Sequence, residues 1–82
     1  MAILRLFASA REAAGTGRDV FEAATVGDVL AQAGERYGEG FVAVLAACRV
    51  WLNGDETDNA APVGVDDEVA VLPPVSGGAS SD

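Results

Sequence analysis

Two apolar segments near opposite ends of the chain flank a single amphipathic segment, and this order limits how 82 residues can fold. The first, Ala2 to Ala8, contains no glycine or proline and predicts a central strand buried on both faces. The second, Glu68 to Leu72, predicts a last strand that runs directly into Pro73 and Pro74. Because so short a chain supports only one core, we expect a single domain.

The main helix is predicted from Val26 to Tyr37. Thr25 precedes it and Asp28 lies at its third position, which is the pattern of a side-chain N-cap. Gly38 and Gly40 are expected to end the helix. Apolar residues recur at spacings of three and four and predict one buried stripe, formed by Val26, Val29, Leu30, Ala33 and Tyr37.

One further strand is predicted before this helix in the sequence, and another after it. Arg18 to Ala23 alternates polar and apolar residues and predicts a strand that pairs with the first one as a hairpin. The intervening Ser9 to Gly17 is typical of a loop. Cys48 to Leu52 predicts a strand that is closed by the turn signal Asn53-Gly54.

The remaining segments are less regular. Phe41 to Ala47 is short and apolar, and periodicity alone permits either a helical turn or a strand. Asp55 to Pro62 predicts an acidic loop with a very short edge strand near Thr57 to Ala60, and Val63 to Asp67 predicts a turn. The resulting order is two strands, a helix and two strands.

In this order, the first and last strands can lie parallel in the middle of a mixed sheet, with the helix on one face. The prediction is therefore an α+β fold of the β-grasp (ubiquitin-like) type, with four to five strands and one main helix. We expect the domain to span residues 1–74. Residues 75–82 are expected to form a flexible C-terminal tail.

The charge balance excludes several classes of partner. Thirteen acidic residues against five basic ones give a net charge of −8, which repels phosphate backbones and anionic membranes. Nucleic acid and membranes are therefore not expected partners, and a basic docking face on a protein partner is favoured. The chain has no apolar run of about 20 residues and no signal-peptide pattern. Its single cysteine, Cys48, fits a reducing compartment, so a cytoplasmic location is expected.

The composition also excludes most catalytic sites. Without histidine, lysine or a second cysteine, the chain cannot supply a histidine-based triad, a Cys or His metal cluster, a Schiff base or a P-loop lysine. We therefore expect no enzyme, no metal site and no bound cofactor. The acidic pairs Asp55-Glu56 and Asp66-Asp67 lack the spacing of a calcium loop, and Cys48 is interpreted as a small strand residue.

The C-terminal segment after Leu72 is unusual in its order of residues. Two prolines fix the backbone, and Gly77-Gly78 then carry no side chains, which favours a thin arm that can enter a narrow channel. From Leu72 to Gly78 the arm spans up to roughly 20 Å. Only a cut after Gly78 would place an α-carboxylate at its tip, because the sequence continues through Ala79 to Asp82. A disordered chain end is the alternative interpretation.

From Ile3 to Gly78, the chain resembles the ubiquitin-like sulfur carriers of the MoaD/ThiS type. These are typified by the small subunit of molybdopterin synthase and by the thiamine sulfur carrier. The opening Phe-Ala-x-x-Arg-Glu and the ending Pro-Pro-Val-Ser-Gly-Gly are closer to the molybdopterin synthase branch. The resemblance rests on Leu6-Phe7-Ala8, Arg11-Glu12, Gly15-Thr16, the segment Val50 to Gly54 and the segment Asp67 to Gly78.

The resemblance implies a mechanism that uses the tail. A ubiquitin-activating-type adenylyltransferase consumes ATP to activate the carboxylate of Gly78, which sulfur transfer converts to a thiocarboxylate. Gly77 lets the tail enter the partner's active site. The large subunit of molybdopterin synthase then receives the sulfur for the molybdenum cofactor, and this chain acts as the non-catalytic small subunit.

The resemblance also implies where partners dock and where the chain departs from its relatives. Phe7, Leu72, Pro73, Pro74 and Val75 are the predicted partner-binding residues. Such carriers typically stop at Gly-Gly, so the four additional residues predict either a processing protease or a precursor or inactive form of the carrier. A carrier for cysteine, thiamine or thio-metabolite synthesis, and a ubiquitin-like protein modifier, remain alternatives.

Overall fold

The computed structural model describes residues 1–74, which form one sheet with helices packed on it. This part of the chain contains three helices, whereas the sequence predicts one main helix. The elements are β1 (Ala2–Leu6), α1 (Ala8–Ala14), β2 (Arg18–Phe21), α2 (Val26–Tyr37), α3 (Glu39–Leu45), β3 (Arg49–Leu52), β4 (Asp55–Glu56) and β5 (Glu68–Leu72).

The strand order in the sheet is β2-β1-β5-β3-β4. The central strands β1 and β5 are parallel, with Leu4 opposite Val69 and Leu6 opposite Val71. All other neighbours are antiparallel, including the predicted pair β1 and β2. The first and last strands are thus parallel neighbours in a mixed sheet, which confirms the predicted β-grasp fold.

The core lies between one face of the sheet and the helices. Thr25 caps α2 as predicted, since its Oγ1 accepts a hydrogen bond of 3.1 Å from the backbone N–H of Asp28. The stripe prediction holds for four of the five helical positions, whereas Tyr37 is half-buried. The largest fully buried side chains are Phe21, Phe41, Leu4, Leu6, Val26, Val29, Val69 and Val71.

The prediction that the first strand is buried on both faces was wrong. Leu4 and Leu6 face the helices and are buried, whereas Ile3 and Arg5 point to the other side and are partly exposed. A strand alternates its side chains between the two faces, and the helices cover only one of them. The other face, which we call the open face, remains accessible.

The predicted loop Ser9 to Gly17 was also wrong, because it contains most of α1. The first strand ends at Leu6 and α1 begins at Ala8. The side of this short helix that faces the core contains only alanines, with Ala10 buried and Ala13 and Ala14 partly buried, so its apolar stripe is a weak signal in the sequence. Its alanine content and the left-handed Gly15 at its end, with φ of 80°, were the available signals.

The ambiguous segment Phe41 to Ala47 is largely helical, and α3 begins two residues earlier, at Glu39. Gly38 ends α2 as predicted, but Gly40 lies inside α3 rather than after a helix. Phe41 is fully buried. The burial of this ring in the core, against Tyr37 of α2, selects a helix where periodicity alone does not.

The short edge strand lies nearer the turn than predicted. It is Asp55–Glu56, not Thr57 to Ala60, because it pairs directly across the Asn53-Gly54 turn with Leu52 and Trp51. Both turn residues have positive φ, 51° and 89°, as a two-residue hairpin requires. Two strands are shorter than expected: β2 ends at Phe21, and β3 begins after Cys48.

Tyr37 joins α2 to β2 through a short polar contact. Its hydroxyl donates a hydrogen bond of 2.6 Å to Asp19 Oδ2, and Arg36 pairs with the other carboxylate oxygen at 2.9 Å. Burial raises the pKa of Asp19, but the hydrogen bonds from Tyr37 and Arg36 outweigh it, so the net pKa is lowered. Burial and the bond to Asp19 raise the pKa of Tyr37.

We expect Tyr37→Phe to lower the free energy of unfolding by about 1–2 kcal/mol at neutral pH, because it removes a hydrogen bond to a charged group. The ring contacts with Phe21 and Phe41 are retained in this variant. Because folding lowers the pKa of Asp19, the stabilisation by its ionised carboxylate is fully present above the unfolded pKa of about 3.9. That contribution is lost as the pH falls through the folded value. Urea unfolding of both proteins across this range should show the difference shrinking in acid, and a pH-independent difference would contradict the assignment.

Candidate functional site

The predicted docking residues lie at the end of the sheet from which the C-terminal segment continues. Because β1 and β5 are parallel and Leu6 pairs with Val71, the next residues, Phe7 and Leu72, lie at the same end of the sheet. Both side chains are exposed, Phe7 by 38% and Leu72 by 36%. The topology therefore places two large apolar side chains beside the start of the tail.

A cleft of about 370 Å³ lies beside this exit and contains Leu72, Pro73 and Pro74. Its opposite wall is formed by Arg49 and Trp51 of β3. Trp51 lies opposite Ala70 on the open face, because the neighbouring Val50 pairs with the buried Val71. Trp51 was not among the predicted docking residues. The alternation of β3 was the signal that could have placed it on the surface.

Phe7 lies outside this cleft and lines a separate depression, at the end of β1 and the start of β2. Its exposure follows from a sharp turn, since Ala8 has φ of 51°, in the left-handed region that costs an L-residue about 1–2 kcal/mol. The guanidinium of Arg5 lies 5.6 Å from the ring centroid of Phe7. The structure thus brings three of the predicted docking residues into one cleft and places Phe7 beside it.

The charge of this region differs from that of the whole chain. The open face carries Arg5, Arg18 and Arg49 on its strands, against Glu56 and Glu68. Two of these arginines form surface ion pairs, Arg5 with Glu68 at 3.2 Å and Arg49 with Glu56 at 2.6 Å. The inference of a basic partner surface from the net charge therefore does not describe this face, which is apolar with a small excess of cations.

Three predicted site residues, Val75, Gly77 and Gly78, lie outside the described residues. Within residues 1–74, no group of three or more His, Cys, Asp or Glu side chains is placed to hold a metal ion. Across the same part of the chain, every helix is too short or too polar to span a membrane. Cys48 donates a hydrogen bond to the carbonyl of Val44 at 3.2 Å, and burial raises the pKa of its thiol. A raised pKa disfavours the reactive thiolate.

Comparisons with known proteins agree with this geometry. The ThiS family matches residues 4–78, whereas no curated protein matches the chain. The solution structure of small archaeal modifier protein 1 (SAMP1) from Methanosarcina acetivorans is similar, with a TM-score of 0.84 and 26% identity. That match covers 93% of this chain and 94% of the other.

Two further solved structures are similar. One is a chain in the complex of subunits 1 and 2 of molybdopterin-converting factor from Helicobacter pylori 26695, with a TM-score of 0.72 and 26% identity over 93% of this chain and 96% of the other. The other is the HVO 2177 protein of Haloferax volcanii, with a TM-score of 0.70 and 36% identity over 93% and 84%.

The fold and these likenesses define the class as a ubiquitin-like sulfur carrier of the MoaD/ThiS type. The chain belongs to the ThiS family, whose match includes the Gly77-Gly78 pair.

Proposed function

We propose that this protein carries sulfur for molybdopterin synthesis, as a thiocarboxylate on Gly78. A ubiquitin-activating-type adenylyltransferase would join the Gly78 carboxylate to AMP from ATP, with release of pyrophosphate. A sulfur donor would then displace AMP. The thiocarboxylate would be delivered to the large subunit of molybdopterin synthase, and this chain would act in the cytoplasm as a cosubstrate rather than as an enzyme.

One observation carries this proposal: β5 continues directly into Pro73 and Pro74 beside an apolar cleft. A partner that covers Trp51 and Leu72 would receive the tail at the same time, because both residues lie next to the point where the tail begins. Aromatic residues, arginine and a packed apolar centre are typical of binding hot spots. The likeness to a chain in a complex of molybdopterin-converting factor subunits 1 and 2 supports a large-subunit partner.

The likeness to small archaeal modifier protein 1 supports a second candidate, in which the activated Gly78 forms an amide bond with another protein. Both candidates require the same tail and the same activation. The chain contains no lysine, so only its N-terminal amine could receive a further copy of itself. Chains linked through lysine are therefore excluded for this protein.

Intact mass spectrometry of the protein isolated from its native cell tests the proposal. We expect a species that ends at Gly78 and has exchanged one oxygen for sulfur. A species attached to other proteins through Gly78, with no thiocarboxylate, would instead favour the modifier. Finding only chains that retain residues 79–82, under conditions in which molybdopterin is made, would contradict both candidates.

We expect Phe7→Ala to weaken binding to the activating enzyme or the large subunit by about tenfold or more, because exposed aromatic anchors contribute strongly to interfaces. Val65→Ala is the matched control. Val65 is 76% exposed and lies before β5, at the opposite end of the sheet. Equal affinities for the two variants would argue against docking at Phe7, provided that both unfold at similar temperatures.

A further inference from the structure

A depression of about 520 Å³ lies where β1 ends and β2 begins. Three of the five arginines of this acidic chain line it. It lies next to the tail exit but is separate from the cleft at Trp51. Its lining consists of Arg5, Leu6, Phe7, Arg11, Thr16, Gly17 and Arg18.

Of the three arginines around this depression, Arg11 and Arg18 have no ion-pair partner within residues 1–74. Arg5 and Arg18 lie directly opposite each other on antiparallel strands, a position in which like charges are destabilising. Within residues 1–74, the ion pairs involve Arg5, Arg36 and Arg49, so Arg11 and Arg18 have no carboxylate partner there. The two arginines without a partner in the described domain therefore line the same depression, although the chain has thirteen acidic residues.

The positions of Arg11 and Arg18 are set by contacts with the backbone rather than by an ionic partner within residues 1–74. Arg11 lies across Gly17, where an added Cβ would stand 3.3 Å from its Nε. The hydroxyl of Thr16 donates to the carbonyl of Arg18 at 3.1 Å and accepts from the N–H of Arg18 at 3.4 Å. The N–H of Leu6 donates to the carbonyl of Gly17 at 3.0 Å. The turn that precedes β2 thus fixes the position of Arg18 at the start of that strand.

We propose that Arg11 and Arg18, with Arg5, bind carboxylate side chains on the partner protein that takes up the tail. This inference rests on the proposed function, because it assigns a further contact to the same partner. The depression is continuous with Phe7, and a guanidinium can bind a carboxylate through two parallel hydrogen bonds. A carboxylate in this position would also relieve the repulsion between Arg5 and Arg18.

The arginines would orient the partner as well as hold it. The net charge of −8 repels acidic surfaces from most directions. Acidic side chains on the partner are therefore favoured at this corner of the domain, next to the tail. Charged contacts of this kind affect partner choice and the association rate more than total affinity.

Binding to the activating enzyme tests the proposal. For the chain cut after Gly78, we expect the double variant Arg11→Gln with Arg18→Gln to associate about tenfold more slowly, and therefore to bind more weakly, with a reduced dependence on salt. Arg36→Gln makes a single charge change at an arginine paired with Asp19 and outside the depression. It should change the affinity less than about twofold. Equal behaviour of the double variant and this control, with thermal melts showing both folded, overturns the proposal.

A second measurement does not depend on the proposed function. NMR signals of the arginine Nε–H groups can be followed in the full chain and in the chain cut after Gly78, with malonate or inorganic phosphate added at equal ionic strength. We expect malonate to shift Arg11 and Arg18 selectively, and the double variant to show no response. A stronger response to phosphate, or no response to either anion, would overturn the carboxylate assignment. A response in the cut chain but not in the full chain would mean that residues 79–82, which include Asp82, occupy the site, and would overturn its assignment to a partner protein. If malonate binds but the activating enzyme does not bind the wild type, the proposed function fails and the anion site stands.

Discussion

The chain cut after Gly78 is expected to be converted to a thiocarboxylate directly, whereas the chain that retains residues 79–82 is expected to react only after a protease removes them. Adenylation needs a free carboxylate, and in the longer chain the carbonyl of Gly78 is part of a peptide bond to Ala79. Each purified form would be incubated with ATP, the activating enzyme and a sulfur donor, and intact mass would be measured over time.

Within the cut chain, Gly78→Ala is expected to reduce the rate of thiocarboxylate formation by at least about a hundredfold, because a small misplacement of reacting atoms has an effect of this size. The added methyl group sits on the carbon that bears the reacting carboxylate. Ser76→Ala is the matched control, since it changes a small tail residue two positions away without adding bulk. It should react at nearly the wild-type rate.

Two outcomes would contradict this prediction. Thiocarboxylate formation on the uncut chain, with no protease present, would show that Gly78 is not the acceptor. Equal rates for Gly78→Ala and Ser76→Ala would show that the channel does not exclude a side chain at this position. Both variants lie outside residues 1–74, so unchanged thermal unfolding is expected for each and should be checked.

The second large effect is on stability. We expect Phe41→Ala to lower the free energy of unfolding by about 3–5 kcal/mol, because it leaves a cavity where a fully buried ring was packed. The ring also makes an edge-on contact with Tyr37, with centroids 5.1 Å apart. A domain of this size has a total stability of roughly 4–12 kcal/mol, so the loss amounts to a quarter or more of the total.

Val42→Ala is the control for this experiment, since Val42 follows Phe41 on α3 and is 49% exposed. Removing an exposed apolar group should change the free energy of unfolding by less than about 0.5 kcal/mol. Urea unfolding followed by far-ultraviolet circular dichroism measures both variants. If Phe41→Ala were as stable as Val42→Ala, α3 would not be part of the core.

Local patterns were sufficient for the centre of the fold. The apolar first and last strands and the Thr25-capped helix predict which segments meet, because each element must bury one side and few arrangements allow this in a single small domain. The exit of the tail at Leu72 follows from the same order. α1 was missed because its core-facing residues are all alanines, and α3 stayed ambiguous because a short apolar run fits both periods.

The sequence by itself determined the β-grasp framework, the absence of histidine and lysine, and a Gly77-Gly78 pair beyond two prolines. Only the tertiary structure decided which side chains share a surface. The pairing of Val50 with Val71 turns Trp51 to the open face, and the pairing of Arg5 with Arg18 brings two distant cations together beside Arg11. Such neighbours depend on strand register and on which face the helices cover, and these are set by contacts between residues far apart in the chain.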